Sequence, residues 1–134
     1  MKILITGDSA WEDRNFIVNK FKELQNSYPN NEPFVLFHFG THRGADLVVS
    51  SGLKGLKNVV VKKYRAKNRL LKSKCLRNDR LLKFDRPQLI WIFHNNIGNS
   101  SGFQDLIAKS ERRNIPINIF YYAGSDFGYY CEYK

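Results

Sequence analysis

The chain has 134 residues, of which 43% are hydrophobic, and its formal net charge is +10 at pH 7. This length suits one hydrophobic core, so we predict a single domain over residues 1–134, and no apolar run reaches the length of a membrane span. Cys75 and Cys131 lack the spacing of a zinc site, and the first residues lack an export signal, which predicts a cytoplasmic protein with no metal site and no membrane association.

Short apolar runs alternate along the chain with longer helical patterns, which predicts a parallel sheet with crossover helices. The predicted strands are residues 3–6, 34–39, 59–61, 89–93 and 117–121, and the predicted helices are residues 13–28, a helix from about 43, residues 67–82, and a helix from about 101 to 114. We therefore expect the α/β class, as one Rossmann-like domain with a five-stranded, mainly parallel sheet of order 3-2-1-4-5 and helices on both faces.

The loop after the first strand begins at Gly7, where the backbone can approach a ligand without a Cβ in the way. Asp8, Ser9 and Trp11 follow, and the Ser9 hydroxyl can donate a hydrogen bond. Asp13 is placed to cap the first helix. Because ligands of such folds bind beyond the carboxyl ends of the strands, Gly7, Asp8, Ser9 and Trp11 are candidate ligand-binding residues.

The loop after the second strand combines two glycines, a hydroxyl and a guanidinium at the start of a helix, a pattern that favours an anion. Its candidate ligand-binding residues are Gly40, Thr41, His42, Arg43, Gly44 and Asp46. The glycine spacing fits neither a dinucleotide fingerprint nor a GxxxxGKS phosphate loop, so no cofactor is predicted. His42 is either an acid–base group or a solvated loop histidine.

Twelve Lys or Arg residues and a single acidic residue, Asp79, lie between Lys54 and Lys83. This basic segment attracts phosphates, either on a small ligand or along a single-stranded nucleic acid, or it is a solvated helix face. Within it, Arg77 and Asn78 are candidate ligand-binding residues because their helix can close a crevice at the sheet edge.

The loop after the fourth strand again brings small residues and hydroxyls to a helix start, and its candidate ligand-binding residues are Gly98, Ser100, Ser101 and Gly102. The alternative is an ordinary loop in which Ser101 caps the helix. Because strands one, two and four are neighbours in the predicted order, we expect the loops that follow them to line one crevice.

The aromatic tail, residues 122–134, holds Tyr122, Phe127, Tyr129, Tyr130 and Tyr133, with Gly124 and Gly128 as turn points. We expect so strongly aromatic a segment to have one of three roles: it packs on its own domain, it forms the interface of a homo-oligomer, or it offers a platform on which bases stack. The sequence leaves these alternatives open.

The motifs resemble those of the SLOG superfamily, in its small YpsA-related branch, over residues 2 to 121. The matching strings are Gly7-Asp8-Ser9 with Trp11 and Asp13, then 40–46, then Arg77-Asn78, and last Gly102 with Asp105 before 115–117. The resemblance implies a Rossmann-like fold and a pocket for nucleotides or nucleotide-derived ligands. Its members include the Lonely guy nucleotide phosphoribohydrolases and a protein that binds single-stranded DNA.

Three functions are consistent with these residues. The first is a non-enzymatic binder or sensor of a nucleotide-derived, phosphate-bearing ligand. The second is an N-glycosidic hydrolase or transferase that acts on nucleoside monophosphates, with Asp46 or Asp105 as the catalytic carboxylate. We rank it lower because Asp105 is shorter than the glutamate of the Lonely guy motif and lies one position early, about 100° around a helix. The third is binding of single-stranded nucleic acid through residues 54–83.

Overall fold

The computed structural model describes residues 1–134, which form one six-stranded sheet with the strand order β3-β2-β1-β4-β5-β6. The first five strands run parallel, and β6 pairs antiparallel with β5. The strands are β1 (Lys2–Gly7), β2 (Phe34–His38), β3 (Val59–Lys63), β4 (Leu89–Phe93), β5 (Ile117–Tyr122) and β6 (Tyr129–Tyr133). The predicted α/β class with a mainly parallel sheet is confirmed.

Four helices connect the parallel strands or follow them. They are α1 (Arg14–Asn26), α2 (Gly44–Val48), α3 (Leu71–Arg80) and α4 (Ser101–Arg112). A π-helical turn extends α2 over Val49–Leu53, and another extends α3 over Leu81–Asp85. The Asp13 carboxylate accepts a hydrogen bond from the Phe16 amide and so caps α1 as predicted.

Helices cover both faces of the sheet, because alternate residues of a strand point to opposite sides. Ile3 and Ile5 of β1 belong to one buried cluster, which includes Ile17 and Phe21 of α1 and Val48 of α2. Leu4, which lies between them on β1, belongs to a second cluster on the other face. That cluster includes Leu81 and Leu82 of the π-helical turn after α3, and Leu106 and Ile107 of α4. The sheet is therefore the middle layer of three.

The prediction of five strands is wrong, because the aromatic tail supplies a sixth. The chain turns between β5 and β6 at Gly124 and Gly128, whose φ angles of 109° and 69° suit glycine. Tyr122 pairs with Tyr129 across the resulting hairpin. The strand lies at the sheet edge and two of its five residues are half-buried, so it lacks the continuous apolar pattern by which buried parallel strands are recognised.

The basic helix is shorter at its start than the predicted residues 67–82. The Asn68 side chain accepts a hydrogen bond from the Leu70 amide, which favours a turn there, and α3 begins at Leu71. At its other end the π-helical turn stops at Arg86, which adopts a left-handed conformation. No helix of the structure has both the length and the apolar character needed to cross a membrane.

Candidate functional site

The loops after β1, β2 and β4 meet at the carboxyl edge of the sheet around a cleft of about 740 Å³. We call this the main cleft. Ten of the sixteen candidate ligand-binding residues line it: Gly7, Asp8, Ser9, Thr41, His42, Arg43, Asp46, Arg77, Ser100 and Gly102. Residues that are far apart in sequence are therefore brought together at the edge where parallel sheets bind ligands.

Gly44 lets the first two loops touch. A Cβ at this position would overlap the carbonyl oxygen of Asp8 and lie 2.8 Å from the Cα of Ser9. Gly44 also has a φ angle of +65°, which an L side chain rarely adopts. It does not line the cleft itself, but its missing side chain determines the position of the Asp8–Ser9 loop against α2.

Asp46 holds the loop after β2 in place. Its side chain is buried, and its Oδ1 accepts hydrogen bonds from the Thr6 hydroxyl at 2.8 Å and from the Phe39 amide at 3.0 Å. Its Oδ2 accepts from the Thr41 amide at 3.3 Å. Three donors converge on this carboxylate, which therefore ties the end of β1 to the loop after β2.

Arg77 is the most unusual side chain of the cleft. Its guanidinium carbon lies 3.5 Å from the centroid of the Phe39 ring, and its Nε is buried without a hydrogen-bond partner. Burial lowers the pKa of Arg77 to about 10, against the opposing influence of Asp46. Its one side-chain hydrogen bond is made by an Nη atom, 3.3 Å from Asn78 Oδ1. A half-buried cation is thus left without a carboxylate partner.

The main cleft carries more positive than negative charge. Four cations line it, namely Arg43, Arg69, Lys74 and Arg77, together with two carboxylates, Asp8 and Asp46. None of these four cations forms a salt bridge. Because a partly buried cation is stabilised by a nearby negative charge, this arrangement suits an anionic ligand.

His94 follows β4 and faces the Asp8 carboxylate. Its Nδ1 accepts a hydrogen bond from the Asn96 amide at 2.9 Å, so in the neutral ring the proton lies on Nε2, which is 3.9 Å from Asp8 Oδ2. Burial lowers the pKa of His94, and the nearby Asp8 opposes that shift. A neutral His94 therefore offers an N–H donor inside the cleft near pH 7.

His38, the last residue of β2, repeats this local geometry. Its Nδ1 accepts from the Gly40 amide at 3.0 Å. Burial lowers the pKa of His38 as well, although Asp46 acts in the opposite direction. His42 is different, because it is exposed and its Nε2 lies 3.1 Å from an Nη atom of Arg65. This contact joins the loop after β2 to the segment after β3 at the rim of the cleft.

Six candidate ligand-binding residues do not line the main cleft: Trp11, Gly40, Gly44, Asn78, Gly98 and Ser101. Asn78 is fully buried and donates to the Gly102 carbonyl at 3.1 Å, so it fixes the start of α4 beneath the cleft. Ser100, rather than Ser101, caps α4 by accepting from the Phe103 amide. Trp11 packs edge-on against Phe93 in the core.

Asp105 also lies outside the main cleft. Its Oδ2 is 2.9 Å from Lys109 Nζ and accepts a hydrogen bond from Asn78 at 3.1 Å. Burial alone raises the pKa of Asp105, but the hydrogen bonds from Lys109 and Asn78 outweigh it and lower the pKa. Lys109 also binds Asp79 at 2.8 Å, so this cluster joins α3 to α4.

Five residues of the main cleft were not among the candidates: Phe39, Arg69, Lys74, His94 and Phe103. His94 directly follows a predicted strand, and this position at the carboxyl end of a strand could have identified it as a candidate ligand-binding residue. Phe39 and Phe103 have the apolar side chains expected of core residues. In the structure their rings are stacked, with centroids 6.3 Å apart. Arg69 and Lys74 could not be separated by sequence from the other cations of the basic segment.

No group of three His, Cys, Asp or Glu side chains is arranged to hold a metal ion. Polar groups of the main cleft instead offer hydrogen-bond donors, chiefly guanidinium, ammonium and hydroxyl groups, beside the start of α4 at Gly102. The positive end of a helix dipole favours negative charge at such a position. The sequence matches no protein-family model and no curated protein.

Proposed function

We propose that this chain binds a nucleotide or nucleotide-derived ligand and holds its phosphate in the main cleft. The observation that carries the proposal is the set of four unpaired cations, above all Arg77 with its buried, unpartnered Nε. A phosphate oxygen can accept the hydrogen bonds that this guanidinium does not make within the protein. The motif resemblance to the SLOG superfamily supports the same class of ligand, and we propose membership on that basis.

The cleft supports a binder or sensor better than a glycosidase. Both carboxylates considered for catalysis are engaged by groups of the protein, since Asp46 accepts from three donors and Asp105 pairs with Lys109 outside the cleft. Hydrolysis of a glycosidic bond needs a carboxylate that is free to act at the reacting centre. Release of free adenine from adenosine monophosphate by the purified protein would overturn the assignment as a binder.

Isothermal titration with adenosine monophosphate tests the proposal. We expect binding by the natural chain and affinity about tenfold to 100-fold weaker in Arg43→Gln, because a hydrogen bond to a charged group is lost. The matched control is Arg112→Gln, which removes an exposed arginine of α4 that does not line the cleft. Failure of nucleoside mono-, di- and triphosphates and of orthophosphate to bind would contradict the proposal.

A second candidate function is the binding of single-stranded nucleic acid by the basic segment, residues 54–83. Ten of its twelve cations are exposed, and none of the twelve forms a salt bridge. Three of the twelve, Arg69, Lys74 and Arg77, also line the main cleft. A strand that follows the exposed cations would reach the cleft with one of its phosphates.

Fluorescence anisotropy with a labelled oligothymidylate tests this second function. Each phosphate contact contributes a slope of about −0.7 to the dependence of log affinity on log salt. We expect Lys72→Gln with Lys83→Gln to weaken binding and to flatten that slope. Arg112→Gln with Arg113→Gln removes equal charge from exposed positions outside the segment and serves as the control. Equal losses in both double variants, or no salt dependence, would exclude the function.

A further inference from the structure

A second, smaller cleft lies beside the main one at the same edge of the sheet. It has a volume of about 280 Å³, and its walls include Ala10, Glu12, Asn95, Tyr122 and Tyr129. The two clefts share the loops after β1 and β4: Ser9 and His94 line the main cleft, and the next residues, Ala10 and Asn95, line the second. Successive Cα atoms are about 3.8 Å apart, so the linings of the two clefts are neighbours at two points.

The chemistry of the second cleft differs from that of the first. Its charged side chains are the carboxylates Glu12 and Asp13, and no cation lines it. Both carboxylate oxygens of Asp13 are engaged, one with the Phe16 amide and the other with the Tyr129 hydroxyl. A phosphate is therefore disfavoured here, whereas the exposed Glu12 carboxylate can accept a hydrogen bond from a ligand.

One wall of the second cleft is aromatic and held rigidly. The Tyr129 ring stacks on Phe16 with centroids 3.9 Å apart and an angle of 11°, and its hydroxyl donates to Asp13. Tyr122 leans on Tyr129 with centroids 5.1 Å apart and is 44% exposed. The Asn95 side chain accepts from the Tyr122 amide at 2.7 Å, which fixes that residue beside the loop after β4.

We propose that the second cleft receives the nucleobase of a ligand whose phosphate occupies the main cleft. This inference rests on the proposed function and extends it by naming a second recognised group. A flat ring stacks on tyrosine without a requirement for charge, and Glu12 and the free amide nitrogen of Asn95 provide an acceptor and a donor for its edge. The aromatic tail would then contribute directly to recognition, because Tyr122 ends β5 and Tyr129 begins β6.

Titration calorimetry with two ligands separates the two proposals. Adenosine monophosphate and ribose 5-phosphate carry the same phosphate and sugar, and only the nucleotide carries a base. We expect the natural chain to bind the nucleotide at least about fivefold more tightly, because base stacking on an aromatic residue contributes at least that factor. Tyr122→Ala should remove this advantage without weakening binding of ribose 5-phosphate.

Tyr133→Ala is the matched control, because Tyr133 is 75% exposed, lies on β6 and lines neither cleft. Equal affinity of the natural chain for the two ligands would overturn the second cleft as a base site and leave the phosphate proposal intact. Unchanged preference in Tyr122→Ala, or an equal loss for both ligands, would also overturn it. If neither ligand binds, the base-site proposal fails, and the phosphate proposal fails with it when the other nucleoside phosphates and orthophosphate do not bind either.

Discussion

The central guanidinium carbon of Arg77 lies over the Phe39 ring, 3.5 Å from the ring centroid. The Phe103 ring stacks with the Phe39 ring, with centroids 6.3 Å apart and an angle of 16° between the planes. An arginine stacked in this way keeps a fixed orientation, so less freedom is lost when its N–H groups bind an anion. The pair therefore supplies an oriented donor in the lining of the main cleft.

Replacement of Arg77 should weaken ligand binding without lowering the free energy of unfolding. In Arg77→Met we expect phosphate affinity to fall about tenfold to 100-fold, because hydrogen bonds to a charged group are lost. We expect the free energy of unfolding to stay equal or to rise, because the substitution removes a half-buried cation that has no carboxylate partner. Titration calorimetry and urea unfolding measure the two quantities.

Arg80→Met is the control for this substitution, since Arg80 is exposed on the same helix and does not line the cleft. It should change neither quantity beyond about 0.5 kcal/mol. A clear loss of stability in Arg77→Met would indicate that the side chain serves the fold and would contradict the role assigned to it.

Gly44→Ala should damage both the fold and the site. The added Cβ overlaps the Asp8 carbonyl oxygen and the φ angle of +65° is unfavourable for alanine, so we expect a loss of more than about 1 kcal/mol of stability. The displaced Asp8–Ser9 loop should also weaken phosphate binding. Gly98→Ala is the paired comparison, because a Cβ there meets no atom within 4 Å. Similar unfolding midpoints for the two variants would refute this explanation of Gly44.

Asp105→Asn should reduce stability and leave ligand affinity within about twofold. The carboxylate lies outside the cleft and joins α4 to α3 through Asn78, so losing its charge weakens a charge-assisted contact, by about 1 kcal/mol. Because the pKa of Asp105 is lowered in the folded state, this contribution is present above the ordinary value of 3.8 and disappears as the pH falls through the folded value. A large loss of nucleotide binding at pH 7, with unfolding unaffected, would show that Asp105 serves the ligand site and would contradict this role.

Acidification from pH 7.5 to 5.5 should destabilise the protein through His38 and His94. Both have a pKa lowered by burial, so the unfolded chain takes up protons first and folding stability falls as the pH passes below the ordinary value of 6.5. In His38→Asn with His94→Asn, each asparagine oxygen can replace Nδ1 as the acceptor of the backbone N–H but cannot become charged. Thermal unfolding at several pH values should therefore show a flatter profile, and an unchanged profile would contradict the assignment.

The sequence predicted the parts of this molecule that depend on local patterns. The continuous apolar runs of β1 and β2 reveal buried parallel strands, and their order brings Gly7, Arg43 and Gly102 to one edge. The sixth strand escaped prediction because edge strands do not require an apolar pattern. Trp11 and Gly98 show a further limit, since the composition of a loop does not reveal which of its residues line a given cleft: Trp11 lines the second cleft, and Gly98 lines neither.

The cleft side chains that were not predicted from the sequence were missed for a common physical reason. Phe39 and Phe103 resemble core residues, and their role as a platform for Arg77 emerges only from the packing of α3 against the loop after β2. Lys74 differs from its exposed neighbour Lys72 by its position around the helix, which a uniformly basic stretch does not reveal. The functions of such residues depend on tertiary contacts rather than on spacing.

The central claim is that three separate loops bind one anion, and an NMR titration of the isotope-labelled protein with inorganic phosphate tests it most directly. We expect the amide signals of Ser9, Arg43 and Gly102 to move together and to fit a single dissociation constant, with Arg112 unaffected. Absence of any shift in these signals, or different dissociation constants for the three loops, would contradict the account.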